Sequence, residues 1–219
     1  MAETPRPTRV LIVDDHPLVR EGLAMRISLQ PDLEVCGQAA TEDEALALVE
    51  ETEPDLVLVD VRLEKGDGIA LVKQVKSRHP RIKMLVLSGF RESLYAERAL
   101  RAGALGYLNK EESNEKLLDA IRTVLAGERY VSPRIAQRLL GQAVGGSREA
   151  KTPIERLSDR ELEVFRMIGE GLTGKAIADR LYLSPHTIDT HRENIKRKLG
   201  LADGAELTCA ALQWLLENG

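Results

Sequence analysis

From Arg9 to about Ala126, short apolar runs alternate with segments of helical period. Residues 10–13, 33–39, 55–60, 82–88 and 105–109 read as strands, rich in Val, Leu and Ile and bounded by polar or turn residues. Helical patterns fill the gaps. Pro17 suits a first helical turn, and the helix it opens carries Leu18, Gly22, Met25 and Leu29 at helical spacing. Thr41 with Glu44 forms a capping-box pattern at the start of a helix to about Glu51. A third helix spans 68–79 and is stopped by Pro80, and a fourth spans 92–102 with Gly103 at its end. Ser113 caps a fifth, which runs to Ala126.

Five β-α units of this length predict a five-stranded parallel sheet covered by helices on both faces, with flavodoxin-like strand order. In such sheets the chemistry sits at the carboxyl ends of the strands. Beyond residue 126 the pattern changes. Residues 127–152 read as a linker with one short helix, from Ser132-Pro133 to about Gln142, and a Gly/Ser-bearing stretch at 145–153. Residues 153–219 are helix-period throughout. Ser158 with Glu161 caps a helix to about Glu170, followed by helices over 174–182, 185–199 and 205–217, with Gly171 and Gly200 as stops. The expected architecture is therefore an α/β domain at 8–126 and an all-α, four-helix domain at 153–219.

Composition narrows the setting. Aromatic residues are 3% of the chain, so the cores must be aliphatic. No apolar run approaches the ~20 residues a membrane span needs, and Met1–Arg9 lacks an apolar signal core. Cys36 and Cys209 lie far apart, without metal-ligand spacing. These features point to a cytoplasmic protein with no membrane partner. Net charge is −4, and residues 153–219 hold 9 basic against 11 acidic side chains. Any nucleic-acid reading must rest on a local cluster rather than on bulk charge.

Asp14, Asp15 and Asp60 end the first and third strands, which are neighbours in the expected order. Three carboxylates together repel one another and suit a hard divalent cation such as Mg²⁺. A cation there could neutralise a phosphoryl group in transfer, and an Asp carboxylate can itself be the nucleophile. Ser88 ends the fourth strand with a hydroxyl, and Lys110 follows the fifth with an ammonium that can pair a phosphoryl oxygen. Val-Asp-Asp-His, Leu-Val-Leu-Val-Asp-Val-Arg-Leu, Leu-Ser-Gly and Gly-Tyr-Leu-Asn-Lys resemble the receiver-domain motifs of response regulators, over residues 8–126. The resemblance implies that Asp60 accepts a phosphoryl group from a sensor histidine kinase. It also implies that Asp14, Asp15, Asp60 and the backbone carbonyl of Arg62 hold Mg²⁺, and that Ser88 and Lys110 contact the phosphoryl oxygens. Ser88 and Tyr107 match the switch pair that moves on phosphorylation; a packed surface tyrosine is the alternative reading of Tyr107. Glu64 departs from the proline common at its position, which leaves the conformation of that loop open.

In the C-terminal part, residues 173–199 read helix, short turn, helix. Ile188, His191, Ile195 and Leu199 share one face, and Asp189, Arg192, Glu193 and Lys196 another. Spacing alone fits a small bundle with a solvated face as well as a DNA reader. Leu-Ser-Asp-Arg-Glu, Lys-Ala-Ile-Ala and Ser-Pro-His-Thr-Ile-x-x-His-x-x-x-Ile-x-x-Lys-Leu-Gly are similar to the LuxR-type output domain, the combination found in regulators of the NarL/FixJ type. This implies double-stranded promoter DNA as partner, read by the helix at 184–199, with the last helix serving dimerisation on DNA and RNA polymerase as a further partner. Candidate DNA contacts are Lys175, His186, Thr187, Asp189, Thr190, Arg192, Glu193, Lys196, Arg197 and Lys198. Asp189 and Glu193 depart from the lysines of many relatives; acids can accept from cytosine N4, so the preferred sequence should differ. His191 reads as a core or backbone-bonded histidine rather than a base reader. The chain is not read as an enzyme: a phosphohydrolase would need a second Asp two residues after Asp60, where Arg62 stands. An adaptor acting through protein partners is the other alternative.

Overall fold

The structure is a computed structural model that describes residues 6–89, 92–110, 112, 114–143 and 152–218. It divides into two compact units, Met1–Ala136 and Gln137–Gly219.

The first unit holds strands β1 (Thr8–Val13), β2 (Leu33–Ala39), β3 (Leu56–Asp60), β4 (Lys83–Ser88) and β5 (Gly106–Asn109). Its helices are α1 (Pro17–Ser28), α2 (Glu42–Thr52), α3 (Gly68–Arg78), α4 (Glu92–Ala102) and α5 (Asn114–Leu125). All strands are parallel, in the order β2-β1-β3-β4-β5. Val10, Ile12, Leu56, Leu58, Leu85 and Leu87 pack on one face with Leu23 and Ile27 of α1 and Leu117, Ala120, Ile121 and Val124 of α5. The alternate residues Leu11, Val13, Val57, Val59, Met84 and Val86 are buried on the other face. The helix caps follow the sequence pattern. The Thr41 hydroxyl accepts the Glu44 N–H at 3.2 Å, while the Glu44 carboxylate takes the Ala40 N–H at 2.8 Å.

Two findings depart from the sequence reading. The face of α1 carrying Leu18, Met25 and Leu29 is turned outward, at 82%, 67% and 75% exposure, and Leu23 and Ile27 make the core contact instead. Both stripes have helical spacing, so periodicity could not choose between them. Residues just past 126 also remain part of the sheet unit. Tyr130 lies beside β5, its N–H donating to the Leu105 carbonyl at 3.0 Å and its carbonyl accepting the Tyr107 N–H at 2.9 Å. The expected cap Ser113 and most of the 145–153 stretch lie outside the described residues.

Helix α6 (Pro133–Ala143) begins with the Ser132 hydroxyl accepting the Ile135 N–H at 3.3 Å. The second unit contains α7 (Asp159–Gly169), α8 (Gly174–Arg180), α9 (Pro185–Leu199) and α10 (Gly204–Asn218), preceded by a 3₁₀ turn at Ile154–Arg156. Ser158 and Glu161 form a complete capping box. The core is Leu162, Phe165, Ile168, Ile177, Ile188, Ile195, Leu207, Ala211 and Trp214, with the Phe165 and Trp214 rings 5.8 Å apart. α7 and α10 approach so closely at Gly169 that a Cβ there would lie 2.5 Å from the Ala211 carbonyl oxygen.

Candidate functional site

Parallel strands deliver their last residues to one edge. The pairing Asp60↔Leu87 and Ser88↔Asn109 puts Asp60, Ser88 and Lys110 on three adjacent strand ends, and Asp14 and Asp15 follow β1 next to β3. Asp14, Asp60 and Ser88 are buried. The Lys110 ammonium closes the pocket, 2.6 Å from Asp14 Oδ2 and 2.7 Å from Asp60 Oδ2. Burial pushes the Asp60 carboxyl up to about 6, reinforced by Asp14 and opposed by Lys110 and the Arg62 N–H. A carboxylate kept from water here is poorly solvated and confronts one cation, as a nucleophile requires.

Asp15 is held from outside the pocket. His16 Nδ1 lies 2.6 Å from Asp15 Oδ1, His16 Nε2 lies 2.6 Å from an Arg62 guanidinium nitrogen, and Arg62 Nε is 3.7 Å from Asp15 Oδ2. Each of Asp14, Asp15, His16 and Asp60 offers a ligand atom, and these atoms lie within 4.8 Å of one another. Buried, oxygen-dominated and acidic, the cluster fits a divalent cation. The sequence pattern points to Asp15 and the Arg62 carbonyl but not to the His16 imidazole or the Arg62 guanidinium; the signal for His16 is its place directly after the acid pair.

The loop after Asp60 is braced by α2. The Glu42 side chain accepts from the Asp67 N–H at 3.1 Å and from the Gln74 amide, and the Ala40 carbonyl accepts the Glu64 N–H at 3.2 Å. This sets the loop conformation that Glu64 left open. Gly68 opens α3 directly under the site: a Cβ there would lie 1.9 Å from the Asp60 carbonyl oxygen. On the other side Tyr107 is buried, with its hydroxyl hydrogen-bonded to the Ser88 side chain. Burial pushes that phenol well above its ordinary range, so it stays neutral.

In the second unit the hydroxyl of Ser184 caps α9 by accepting the Thr187 N–H at 3.1 Å. Ile188 and Ile195 are fully buried, whereas His191 and Leu199 are only half-buried. Burial, aided by Arg160, lowers the His191 pKa and favours the neutral ring. Lys175, His186, Asp189, Thr190, Glu193 and Arg197 are exposed, and Thr187, Arg192, Lys196 and Lys198 are half-buried. Several of the cations are already engaged. Lys198 pairs with Glu161 at 2.5 Å, tying the end of α9 to the cap of α7. Lys196 pairs with Glu193 at 2.8 Å, and Arg197 donates to Asn194 Oδ1 at 2.9 Å. The Arg192 guanidinium lies back toward Gly174 and Gly204, 3.8 and 3.7 Å from where their Cβ atoms would stand. Thr190 donates its hydroxyl to the His186 carbonyl at 3.0 Å.

A doubly wound α/β unit with buried acids at its carboxyl edge, carried on one chain with a helix-turn-helix unit, is the make-up of a response regulator. The chain belongs to that family: residues 10–122 match the model described as response regulator receiver domain, and residues 155–211 match bacterial regulatory proteins, luxR family. It is a transcription-regulating response regulator with a LuxR-type DNA-binding domain. Response regulator GacA of Pseudomonas protegens is 38% identical over 205 residues, covering 94% of this chain and 95% of GacA. Oxygen regulatory protein NreC of Staphylococcus aureus is 38% identical over 210 residues, covering 94% of this chain and 97% of NreC. The solved structure of RcsB from Salmonella enterica serovar Typhimurium, bound to promoter P1flhDC with phosphomimetic BeF3-, shares the fold with a TM-score of 0.72 at 24% identity, over 97% of this chain and 100% of that one. No described helix is long and apolar enough to cross a membrane.

Proposed function

We propose that Asp60 is the phosphoacceptor of this regulator and that its phosphorylation controls promoter binding by α9. The supporting observation is the buried Asp14–Lys110–Asp60 arrangement, with Lys110 within 2.7 Å of both acids. An Asp60 oxygen attacks the phosphorus of a phosphohistidine on a sensor histidine kinase. The P–O bond forms as the P–N bond breaks, and the electron pair leaves with the imidazole. Lys110 pairs one phosphoryl oxygen as a point charge, and the Ser88 hydroxyl donates to another. Asp14, Asp15, Asp60 and the Arg62 carbonyl would hold Mg²⁺, which would supply positive charge beside the acids and a phosphoryl group. Ser88, once drawn to the phosphoryl group, exchanges its bond to Tyr107, and this exchange is the switch.

The receiver spans 8–126, the segment after it continues beside β5 through Tyr130, and a linker then leads to the DNA-binding domain at 153–219. The protein works in the cytoplasm as a regulator rather than as a metabolic enzyme. Lys175, His186, Thr187, Asp189, Thr190, Arg192, Glu193, Lys196 and Arg197 face DNA, with RNA polymerase as a further partner at the promoter, while Lys198 ties α9 to α7 through Glu161. So few uncommitted cations in a net acidic domain bind DNA weakly as a monomer, so the bound form is a homodimer that doubles the contacts. The test compares retention of random duplex DNA by three forms: untreated protein, protein given Mg²⁺ and acetyl phosphate, and Asp60→Asn given the same. The treated parent should enrich one motif at lower protein concentration than the other two. Equal affinity for all three removes the switch while leaving DNA binding in place.

A further inference from the structure

The turn between α8 and α9 contains a residue that costs the turn stability. The Leu183 N–H reaches the Ala178 carbonyl at 2.9 Å and the Tyr182 N–H the Asp179 carbonyl at 3.4 Å. This pattern closes a helix by placing one residue in the left-handed region, where glycine is at ease. The chain follows that preference after α4, α5, α7 and α9, with Gly103, Gly127, Gly171 and Gly200 at φ 117°, 85°, 83° and 71°. After α8 it places Tyr182, at φ 53°.

A bulky L-residue in this region is strained, and no core contact offsets the strain, because Tyr182 is 69% exposed. Its hydroxyl has no hydrogen-bond partner among the described residues. Glu53, the other non-glycine with positive φ among the described residues, presents an exposed carboxylate at the end of α2. Tyr182 instead leaves an aromatic ring in water two residues before the Ser184 cap of α9, and His186, in the first turn of that helix, is exposed as well. A recognition helix enters the major groove through its N-terminal end, and the residues before it run beside the phosphates. Lys196 and Lys198 are engaged with Glu193 and Glu161, so a neutral donor at this rim would supplement a sparse set of charged contacts.

We infer that Tyr182 is a DNA-backbone contact, its phenol donating to a phosphodiester oxygen at the edge of the groove. This rests on α9 being the groove-reading helix. The experiment uses the full chain and its Tyr182→Gly and Tyr182→Phe variants. Thermal unfolding is measured beside binding to two duplexes: one carrying a sequence selected by the parent protein, the other unrelated and of equal length. The glycine variant should melt higher than the parent yet bind both duplexes roughly tenfold more weakly, the loss expected for a hydrogen bond to a charged acceptor. The phenylalanine variant should melt with the parent and lose most of the same affinity. The salt dependence should be unchanged in both, because no charge is removed. A phenylalanine variant that binds as tightly as the parent overturns the contact, as does a glycine variant that keeps full affinity. Failure of the parent to retain any duplex removes the groove-reading helix itself, a result distinct from either.

Discussion

The two units use their charges in opposite ways. In the receiver, acids from different strands converge on one buried pocket, where Lys110 faces both Asp14 and Asp60. In the LuxR-type unit, charges are dispersed over helix surfaces and taken up in local pairs such as Lys198 with Glu161 and Lys196 with Glu193. The first arrangement sacrifices stability to concentrate reactivity. The second staples helices together and leaves few cations for a ligand. Titration should expose the difference. Asp60 has its pKa raised to about 6 by burial. The native receiver therefore binds a proton more tightly than the unfolded chain, and in metal-free protein its stability falls as pH rises from about 4 to 6. Burial also raises the Glu161 carboxyl, but Lys198 and the Ser158 N–H outweigh it, so the net shift is downward. Its contribution is present above the ordinary carboxylate range and disappears as pH falls through the lowered value.

Four substitutions sharpen the contrast. The largest effect belongs to Gly68→Ala, because the added methyl meets the Asp60 carbonyl oxygen and displaces backbone at the site. A loss of about 3 kcal/mol of receiver stability in urea denaturation is expected, together with slower phosphorylation. Asp60→Asn should act in the other direction. In chelator at pH 8 it removes a poorly solvated charge and should raise receiver stability by about 2 kcal/mol, a gain that shrinks toward pH 4. A loss of stability instead would mean that Lys110 more than compensates the buried acids. The smallest effect separates two lysines. Lys198→Met leaves Glu161 with the Ser158 N–H but without its cation and should cost the C-terminal unit about 1 kcal/mol. Lys175→Met, at an exposed position, should leave stability within about 0.5 kcal/mol while lowering the salt slope of DNA binding by about one. Exchanged phenotypes would reverse the assignment of the two side chains.

Legibility from sequence also differs between the units. Strand ends in a parallel sheet share one edge by topology, so the sequence alone gathers Asp14, Asp15, Asp60, Ser88 and Lys110. Helix starts were equally plain, because Thr41, Ser158 and Ser184 act on N–H groups three residues away. What failed was orientation. α1 carries apolar residues on both sides, and only packing decides that Leu23 and Ile27 face the sheet while Leu18, Met25 and Leu29 do not. Contacts between distant segments were equally hidden. Nothing in the sequence marks Glu42 as the brace of the loop at 61–67, or Lys198 as a partner of Glu161 rather than a free cation.

The most direct measurement is the intact mass of the protein after incubation with Mg²⁺ and acetyl phosphate, followed by peptide mapping of any adduct. A single added phosphate on the peptide containing Asp60 is expected, absent in Asp60→Asn and absent when chelator replaces the cation. A parent protein that stays unmodified under these conditions and with a phosphorylated sensor kinase, or one modified at another residue, would contradict the assignment of Asp60 as phosphoacceptor.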